Sequence, residues 1–125
     1  MTKRRESARR KSLRRFSGFP EGKAETVALP VAVFSDLIPM IDDLDELKVT
    51  LLVLVRLAEL RAEVAPWVTF TELVEDAAAR QAFGGKAYEA RLAAALDRAV
   101  ERGALLSPDD PSETDPEERR YFANS

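Results

Sequence analysis

Positively charged side chains are the groups in this sequence whose number and spacing could do chemistry. The first 15 residues contain eight Lys or Arg against one Glu, a net charge of +7, and the rest of the chain carries a net charge of −10. Clustered cations neutralise nucleic-acid phosphates and release their counterions. The stretch is polar and poor in core-forming residues, so we predict a disordered basic arm over 1–15. Its cations are Lys3, Arg4, Arg5, Arg9, Arg10, Lys11, Arg14 and Arg15.

The basic arm has two other interpretations. It could be a tail that only keeps the protein in solution, or its coding region could have been assigned a start codon too far upstream. Charge asymmetry between two parts of a chain is nevertheless typical of proteins that contact nucleic acid. The sequence leaves these alternatives open.

Catalysis is not expected from this composition. The 125 residues include no histidine and no cysteine, which removes the commonest general base, the commonest metal ligand and any thiol nucleophile. No glycine-rich phosphate-binding loop follows a predicted strand. We therefore expect no cofactor, no metal and no small-molecule substrate. No apolar run is long enough for a membrane helix and the N-terminus does not resemble a secretory signal, so we expect a cytoplasmic protein without membrane contact.

Carboxylates cluster before and within the first turn of a predicted helix. This set could bind a cation, but it lacks the glycine and the ligand spacing of an EF-hand loop. Acidic residues at a helix start also stabilise the helix dipole and cap free N–H groups. We interpret the cluster as a solvated, helix-capping group. Its members are Asp36, Asp42, Asp43, Asp45 and Glu46.

Hydrophobic periodicity and capping patterns predict the elements that must position these charges. A short helix is expected within 30–41. Longer helices follow over 44–62, 70–82 and 87–102, and a β-hairpin follows over 104–123. Asp43 with Glu46 and Thr69 with Glu72 have capping-box spacing, and Gly103 occupies a helix C-cap position.

Apolar residues mark the candidate core. Leu44, Leu47, Leu51 and Leu54 repeat at helical spacing, and Ala58 continues the stripe, so we expect a helix of about five turns that is buried on most faces. Other anchors are open to two interpretations. Phe16 and Phe19 are expected to pack on the domain, with a role in a pocket as the alternative. Trp67 is expected to be a partly buried anchor, with base stacking as the alternative.

The last predicted helix supplies a second set of candidate nucleic-acid contacts. Arg91, Arg98 and Arg102 should lie close together on its outer surface. Three helices followed by a hairpin is the order of a winged helix-turn-helix, whose second motif helix can enter a DNA groove. We therefore predict a mainly α protein with a winged-helix domain over 16–125. It would have a three-helix core, a C-terminal hairpin wing and an extra short N-terminal helix.

Four stretches carry a resemblance to a known family. In order they are FSGFPEGK, VFSDLIPMIDDLDELKVTLLVLVRL, VTFTELVED and RAVERGALL. They resemble the N-terminal domain of DnaD-like primosome proteins over 16–123, most specifically over 34–52. The resemblance implies a winged-helix module of the machinery that loads helicase and restarts replication. In that family the module mainly mediates self-association and protein contacts, while a separate C-terminal domain carries much of the DNA binding. The chain is thus expected to be a short version or a fragment.

Two functions follow as hypotheses. In the first, the module binds DNA through the basic arm and the helix arginines. In the second, the acid-rich body contacts proteins of the replication apparatus, such as a helicase or its loader, and forms a homo-oligomer. The two can coexist in one chain. Remaining alternatives are a winged-helix transcriptional regulator and an oligomerisation scaffold that does not bind DNA.

Overall fold

The computed structural model describes residues 13–22, 25–60 and 66–124 of the chain. Over these ranges the protein is mainly helical, with a small three-stranded antiparallel sheet, an arrangement compatible with a winged helix. None of the described helices has the length and apolar character needed to span a membrane. The elements in chain order are a π-helical turn (Val33–Leu37), a 3-10 turn (Ile38–Met40), α1 (Leu44–Leu60), β1 (Val68–Thr69), α2 (Phe70–Glu75), α3 (Ala77–Phe83), α4 (Tyr88–Arg102), β2 (Leu105–Leu106), a 3-10 turn (Pro116–Glu118) and β3 (Arg120–Ala123).

The long central helix is confirmed. Of the two hydrogen bonds that a capping box needs at its start, only one is formed. The Asp43 carboxylate accepts a hydrogen bond from the backbone N–H of Glu46 at 2.9 Å. The Glu46 side chain does not return to the backbone of Asp43 and instead accepts hydrogen bonds from Arg102. Residues 61 and 62, the predicted end of this helix, lie outside the described residues.

The helix predicted over 70–82 is two helices. Asp76 has extended backbone angles (φ −70°, ψ 127°) and ends α2, while its carboxylate accepts a hydrogen bond from Ala79 N–H and caps α3. An aspartate side chain competes with the helical backbone for N–H groups, which breaks the helix at this position. The Thr69–Glu72 capping box is confirmed at the start of α2.

The hairpin after α4 is confirmed and is part of a larger sheet. Gly103 has φ 92° and its N–H bonds back to the last turn of α4, so the helix ends as predicted. Strand β3 pairs antiparallel with β2, and it also pairs with β1 through Val68 and Tyr121. Strand β1 was not predicted, because two residues are too few to display an alternating pattern.

The core lies between α1, α4 and the sheet, with Val49, Val53, Leu92, Leu96 and Tyr121 among its buried members. Helix α1 is buried or half-buried at most positions, as predicted, but its fully buried positions do not follow the leucine repeat. Glu46, Val49, Thr50 and Val53 form its buried face, whereas Leu44 is 63% exposed and Leu51 is half-buried. Side chains all around the middle of α1 are apolar, so periodicity alone could not select the face that meets α4.

The aromatic residues of the N-terminal segment are also placed differently from the prediction. Phe16 and Phe19 are 71% and 87% exposed, and their rings contact each other at 4.9 Å. Phe34 is exposed as well, whereas Val33 beside it is buried. Trp67 is partly buried against Phe122, as expected for an anchor.

Leu92→Ala should lower the free energy of unfolding by about 2–5 kcal/mol, because a fully buried leucine leaves a cavity when it is truncated. Leu51→Ala should cost clearly less, because its side chain is only half-buried. Urea unfolding of both variants measures the difference. Equal losses of unfolding free energy in the two variants would contradict the observation that Leu51 of α1 is only half-buried.

Candidate functional site

The basic arm lies mostly outside the described part of the chain. Lys3, Arg4, Arg5, Arg9, Arg10 and Lys11 fall in the residues that are not described. The last two cations of the arm, Arg14 and Arg15, are exposed and make no ion pair with any described residue. These two guanidinium groups therefore present full positive charge on an accessible segment.

The three predicted helix arginines lie against the carboxylates at the start of α1. We call this set the acid–arginine contact; it joins Arg91, Arg98 and Arg102 of α4 to Asp42, Asp43, Asp45 and Glu46. The three arginines do not project freely into solvent as predicted, because α4 packs against the N-terminal turns of α1 along the side that carries them. The carboxylate cluster is correspondingly not simply solvated.

Glu46 is the centre of the acid–arginine contact. Its side chain is fully buried, and both carboxylate oxygens accept hydrogen bonds from Arg102, at 2.8 and 3.0 Å. The Arg98 Nε lies 3.4 Å from the same carboxylate. A buried carboxylate is stable only when it is paired and hydrogen-bonded. Glu46 therefore requires Arg102, which is then not available to a phosphate.

Arg91 forms a second bidentate ion pair, with Asp45, at the other end of the acid–arginine contact. Its Nε and Nη2 donate to the Asp45 carboxylate at 3.1 and 2.8 Å, and its Nη1 donates to the Phe83 carbonyl at 2.6 Å. The hydrogen bond from Arg91 lowers the pKa of Asp45 below its ordinary value, and the same pair raises the pKa of Arg91. The guanidinium thus ties α4 to both α1 and the end of α3.

The face of α4 that remains exposed is rich in carboxylates and alanines. Glu89, Asp97 and Glu101 are exposed on it, and Arg98 is the exposed cation among them. Arg98 is itself within 3.4 Å of Asp42. A helix that tracks phosphates needs clustered, accessible cations. This face instead carries a net negative charge.

The acidic cluster lacks the arrangement of a cation site. Among the residues that the structure describes, no group of three or more metal-ligating side chains is placed to hold an ion. Asp36 stands apart from the acid–arginine contact and lines a groove on another side of α1. The other four carboxylates point toward arginines, which occupy the positions that a cation would take.

A second charged arrangement on the sheet was not anticipated from the sequence. The Arg120 guanidinium lies 5.3 Å from the Trp67 ring centroid and 5.6 Å from that of Phe122, and it is held by the Asp109 carboxylate at 2.8 Å. Hydrogen bonds from Arg120 lower the pKa of Asp109. The Trp67 ring is therefore covered by protein groups, which favours an anchor over a base-stacking platform. The pairing of β1 with β3 creates this set, so no local sequence signal could have found it.

Comparison with known proteins finds no match: no protein-family model, no curated protein and no solved structure is significantly similar to the chain.

Glu46→Gln should destabilise the fold by about 2 kcal/mol or more, because it leaves the partly buried Arg102 with only the exposed Asp42 as its counter-charge. Asp42→Asn removes an exposed partner of the same arginine and should cost less than about 1 kcal/mol. Chemical denaturation of the two variants compares the losses. A cost for Glu46→Gln no larger than that for Asp42→Asn would show that the buried pair is not required.

Asp45→Asn should flatten the acid side of the stability profile. Because the pKa of Asp45 is lower in the folded state, the pair stabilises the protein above the unfolded-state pKa of about 3.9 and is lost as the pH falls through the folded-state value. Urea unfolding between about pH 2 and pH 7 measures this dependence. Arg91→Gln removes the same pair from the other side and should flatten the same range. A profile for Asp45→Asn parallel to wild type would contradict the assignment.

Proposed function

We propose that the chain is a non-enzymatic winged-helix module of the DNA replication initiation and restart machinery. In this proposal the basic arm contacts DNA without sequence preference, and the folded body contacts proteins. The order of elements supports the winged-helix part. A strand precedes the second helical segment, the last long helix leads into a hairpin, and β3 lies between β1 and β2 in the sheet. This connectivity is compatible with a wing attached to a helix-turn-helix core.

The resemblance to DnaD-like primosome proteins supports the replication part. Its most specific stretch, 34–52, supplies the residues just before α1, the carboxylates of the acid–arginine contact and the first half of α1. The stretch VTFTELVED forms β1 and the capped start of α2, and RAVERGALL forms the end of α4, the Gly103 cap and β2. Three of the four stretches thus include an end of a helix together with its capping residues.

The acid–arginine contact is the observation that supports assigning DNA binding to the arm and protein binding to the body. It commits Arg91, Arg98 and Arg102 to carboxylates of α1, and the exposed face of α4 carries Glu89, Asp97 and Glu101. A phosphate approaching this helix would meet negative charge at its exposed positions. The cations of the arm have no such competitors on the arm itself apart from Glu6. DNA affinity is therefore assigned to the arm, and partner recognition to the body.

The body is suited to protein partners such as a replicative helicase or its loader. Protein interfaces accept apolar surface with scattered charge, and the described residues expose several large apolar side chains, among them Val31, Phe34, Met40 and Leu44. A transcriptional regulator that reads a DNA groove with α4 is less well supported, because its reading helix would carry exposed carboxylates. A scaffold without DNA binding remains the alternative that the following experiment separates.

Replacing the eight Lys and Arg of residues 1–15 by Gln should weaken binding to all duplex sequences alike and flatten its salt dependence. Each phosphate contact contributes a slope of about −0.9 in log affinity against log salt, so the variant should lose several units of slope. Fluorescence anisotropy with two unrelated 20-base-pair duplexes across a salt series measures both effects. Arg98→Gln, in a chain that keeps the wild-type arm, is the control variant in the folded body. It should change the slope of log affinity against log salt by less than one unit.

Two results would overturn the assignment in different ways. If the arm variant keeps its affinity and Arg98→Gln loses it, the body is the DNA-binding surface. If the wild-type chain binds neither duplex at low salt, the module is a protein-contact scaffold. Circular dichroism of each variant should match wild type, so that a loss of binding is not a loss of fold.

A further inference from the structure

The basic N-terminal segment contains an internal repeat that DNA binding alone does not require. Three consecutive five-residue units, RRESA, RRKSL and RRFSG, cover residues 4–8, 9–13 and 14–18. Each unit begins with two arginines and has a serine at its fourth position. The third position is an acid, a base or an aromatic ring, so the units share the arginine pair and the serine. We call these units the Arg-Arg-x-Ser repeats.

The period of the Arg-Arg-x-Ser repeats does not come from secondary structure. Side chains return to the same face about every 3.6 residues in a helix and at every second residue in a strand, and a period of five fits neither. Neutralisation of DNA phosphates uses the arginines but sets no position for a serine. A partner that recognises the arginine pair and the serine together, at a fixed distance, accounts for all the shared positions.

The last repeat lies in the described part of the chain and is accessible. Residues 14–18 belong to no helix or strand, and each of them is exposed. Arg14 and Arg15 form no ion pair with any described residue. Both guanidinium groups and the Ser17 side chain can therefore be reached by a second protein. The equivalent serines of the other two repeats lie outside the described residues.

The described serines of the folded body have different surroundings. Ser35 and Ser112 donate hydrogen bonds to neighbouring acceptors, and Ser107 accepts one. No arginine stands among the three residues that precede any of them, and Ser112 instead follows closely on two aspartates. The combination of an arginine pair with a serine is thus confined to the repeats.

We propose that Ser17 is a phosphorylation site for an arginine-directed serine kinase, and that its equivalents Ser7 and Ser12 are sites for the same kinase. Kinases discriminate among substrates by charge patterns, and a carboxylate in a substrate groove binds a guanidinium fork through two parallel hydrogen bonds. The arginine pair offers two such forks at a fixed distance from the hydroxyl group. Because residues 14–18 lie outside any helix or strand, they can enter that groove without unfolding of the body.

The reaction transfers the γ-phosphoryl group of ATP to the serine. Ser17 Oγ attacks the γ-phosphorus and forms a new O–P bond, while the bond from that phosphorus to the oxygen bridging the β-phosphate breaks. ADP leaves with the electron pair of the broken bond, and the hydroxyl proton passes to a carboxylate of the kinase. The kinase supplies that carboxylate and the Mg²⁺-bound ATP, and the chain supplies the acceptor and the arginines that position it.

Phosphorylation removes most of the positive charge of the arm, and its effect on DNA affinity rests on the proposed function. Residues 1–17 have a formal charge of +7. A phosphoserine carries about −1.5 to −2 charges at neutral pH, so three of them leave roughly +1 to +2.5. Each phosphate also stands beside the arginine pair of its own repeat and competes with DNA for it. Phosphorylation should therefore release the arm from DNA.

Labelling in an extract of the cells that naturally produce the protein tests the sites without DNA. The full chain is incubated with the extract, Mg²⁺ and ATP labelled in its γ-phosphoryl group, and mass spectrometry locates the modified serines. Wild type should be labelled at Ser7, Ser12 and Ser17, and the control variant Ser112→Ala should be labelled equally. Ser7→Ala/Ser12→Ala/Ser17→Ala should lose the label.

A charge-preserving variant separates recognition of arginine from attraction to positive charge. Replacing the six arginines of the repeats by lysine keeps the +7 charge but removes the planar forks. Labelling should fall at least about tenfold, because a lysine ammonium cannot form the bidentate pair with a carboxylate. Binding of the unmodified lysine variant to duplex DNA should stay close to wild type.

Fluorescence anisotropy with the phosphorylated and repurified chain measures the effect on DNA. Phosphorylation should weaken binding to duplex DNA at least about tenfold and flatten the slope of log affinity against log salt by several units. Treatment with a serine phosphatase should restore both. The triple alanine variant, carried through the same extract, should bind as the unmodified wild type does.

The phosphorylation sites are wrong if wild type takes up no label, if the label lies on Ser35, Ser107 or Ser112 instead, or if the lysine variant is labelled as strongly as wild type. A chain that is phosphorylated at the repeats but keeps its full DNA affinity would overturn the regulatory part. If the unmodified chain does not bind DNA, the proposed function fails and the regulatory part fails with it. The labelling result still decides the phosphorylation sites in that case.

Discussion

The rest of the structure depends on the burial of one carboxylate. Glu46 is fully enclosed where α1 meets α4, and a charge in that position must be paired. Arg102 supplies the pair with two hydrogen bonds, and Arg98 adds a third cationic contact. Because the guanidinium fork matches a carboxylate in only a few orientations, the pair selects one rotation of α4 about its axis and one register against α1. The apolar contacts of Leu92 and Leu96 then follow from that placement.

This constraint also determines how charge is distributed over the surface. The acid–arginine contact pairs the three arginines of α4 with carboxylates. The outer side of α4 then presents mainly exposed carboxylates. Electrostatic attraction to nucleic acid is then concentrated in the basic arm, whose +7 contrasts with the −10 of the remaining chain. A single chain can thereby present one surface that attracts phosphates and another that repels them. In the proposed function, this separation leaves the apolar surfaces of the body to protein partners.

An apolar groove lies beside α1, lined on the α1 side by Leu54, Leu57 and Ala58. Because Glu46, Val49 and Val53 are the buried positions, Leu54 and Ala58 lie on the flank of α1 and are only half-buried. Helix termini, by contrast, are governed by local chemistry, as in the Thr69–Glu72 capping box and the left-handed Gly103.

The sequence by itself determined the features that depend on neighbouring residues. Capping side chains, Gly103 and helical periodicity located α1, α4 and the hairpin within a few residues, and charge counts alone predicted the basic arm. The tertiary structure decided which face of α1 is buried, because apolar side chains surround its middle and only packing against α4 chooses among them. It also decided which carboxylates the arginines of α4 pair with. Residues 46 and 102 are remote in sequence, so their pairing arises from the approach of two helices, which no local pattern encodes.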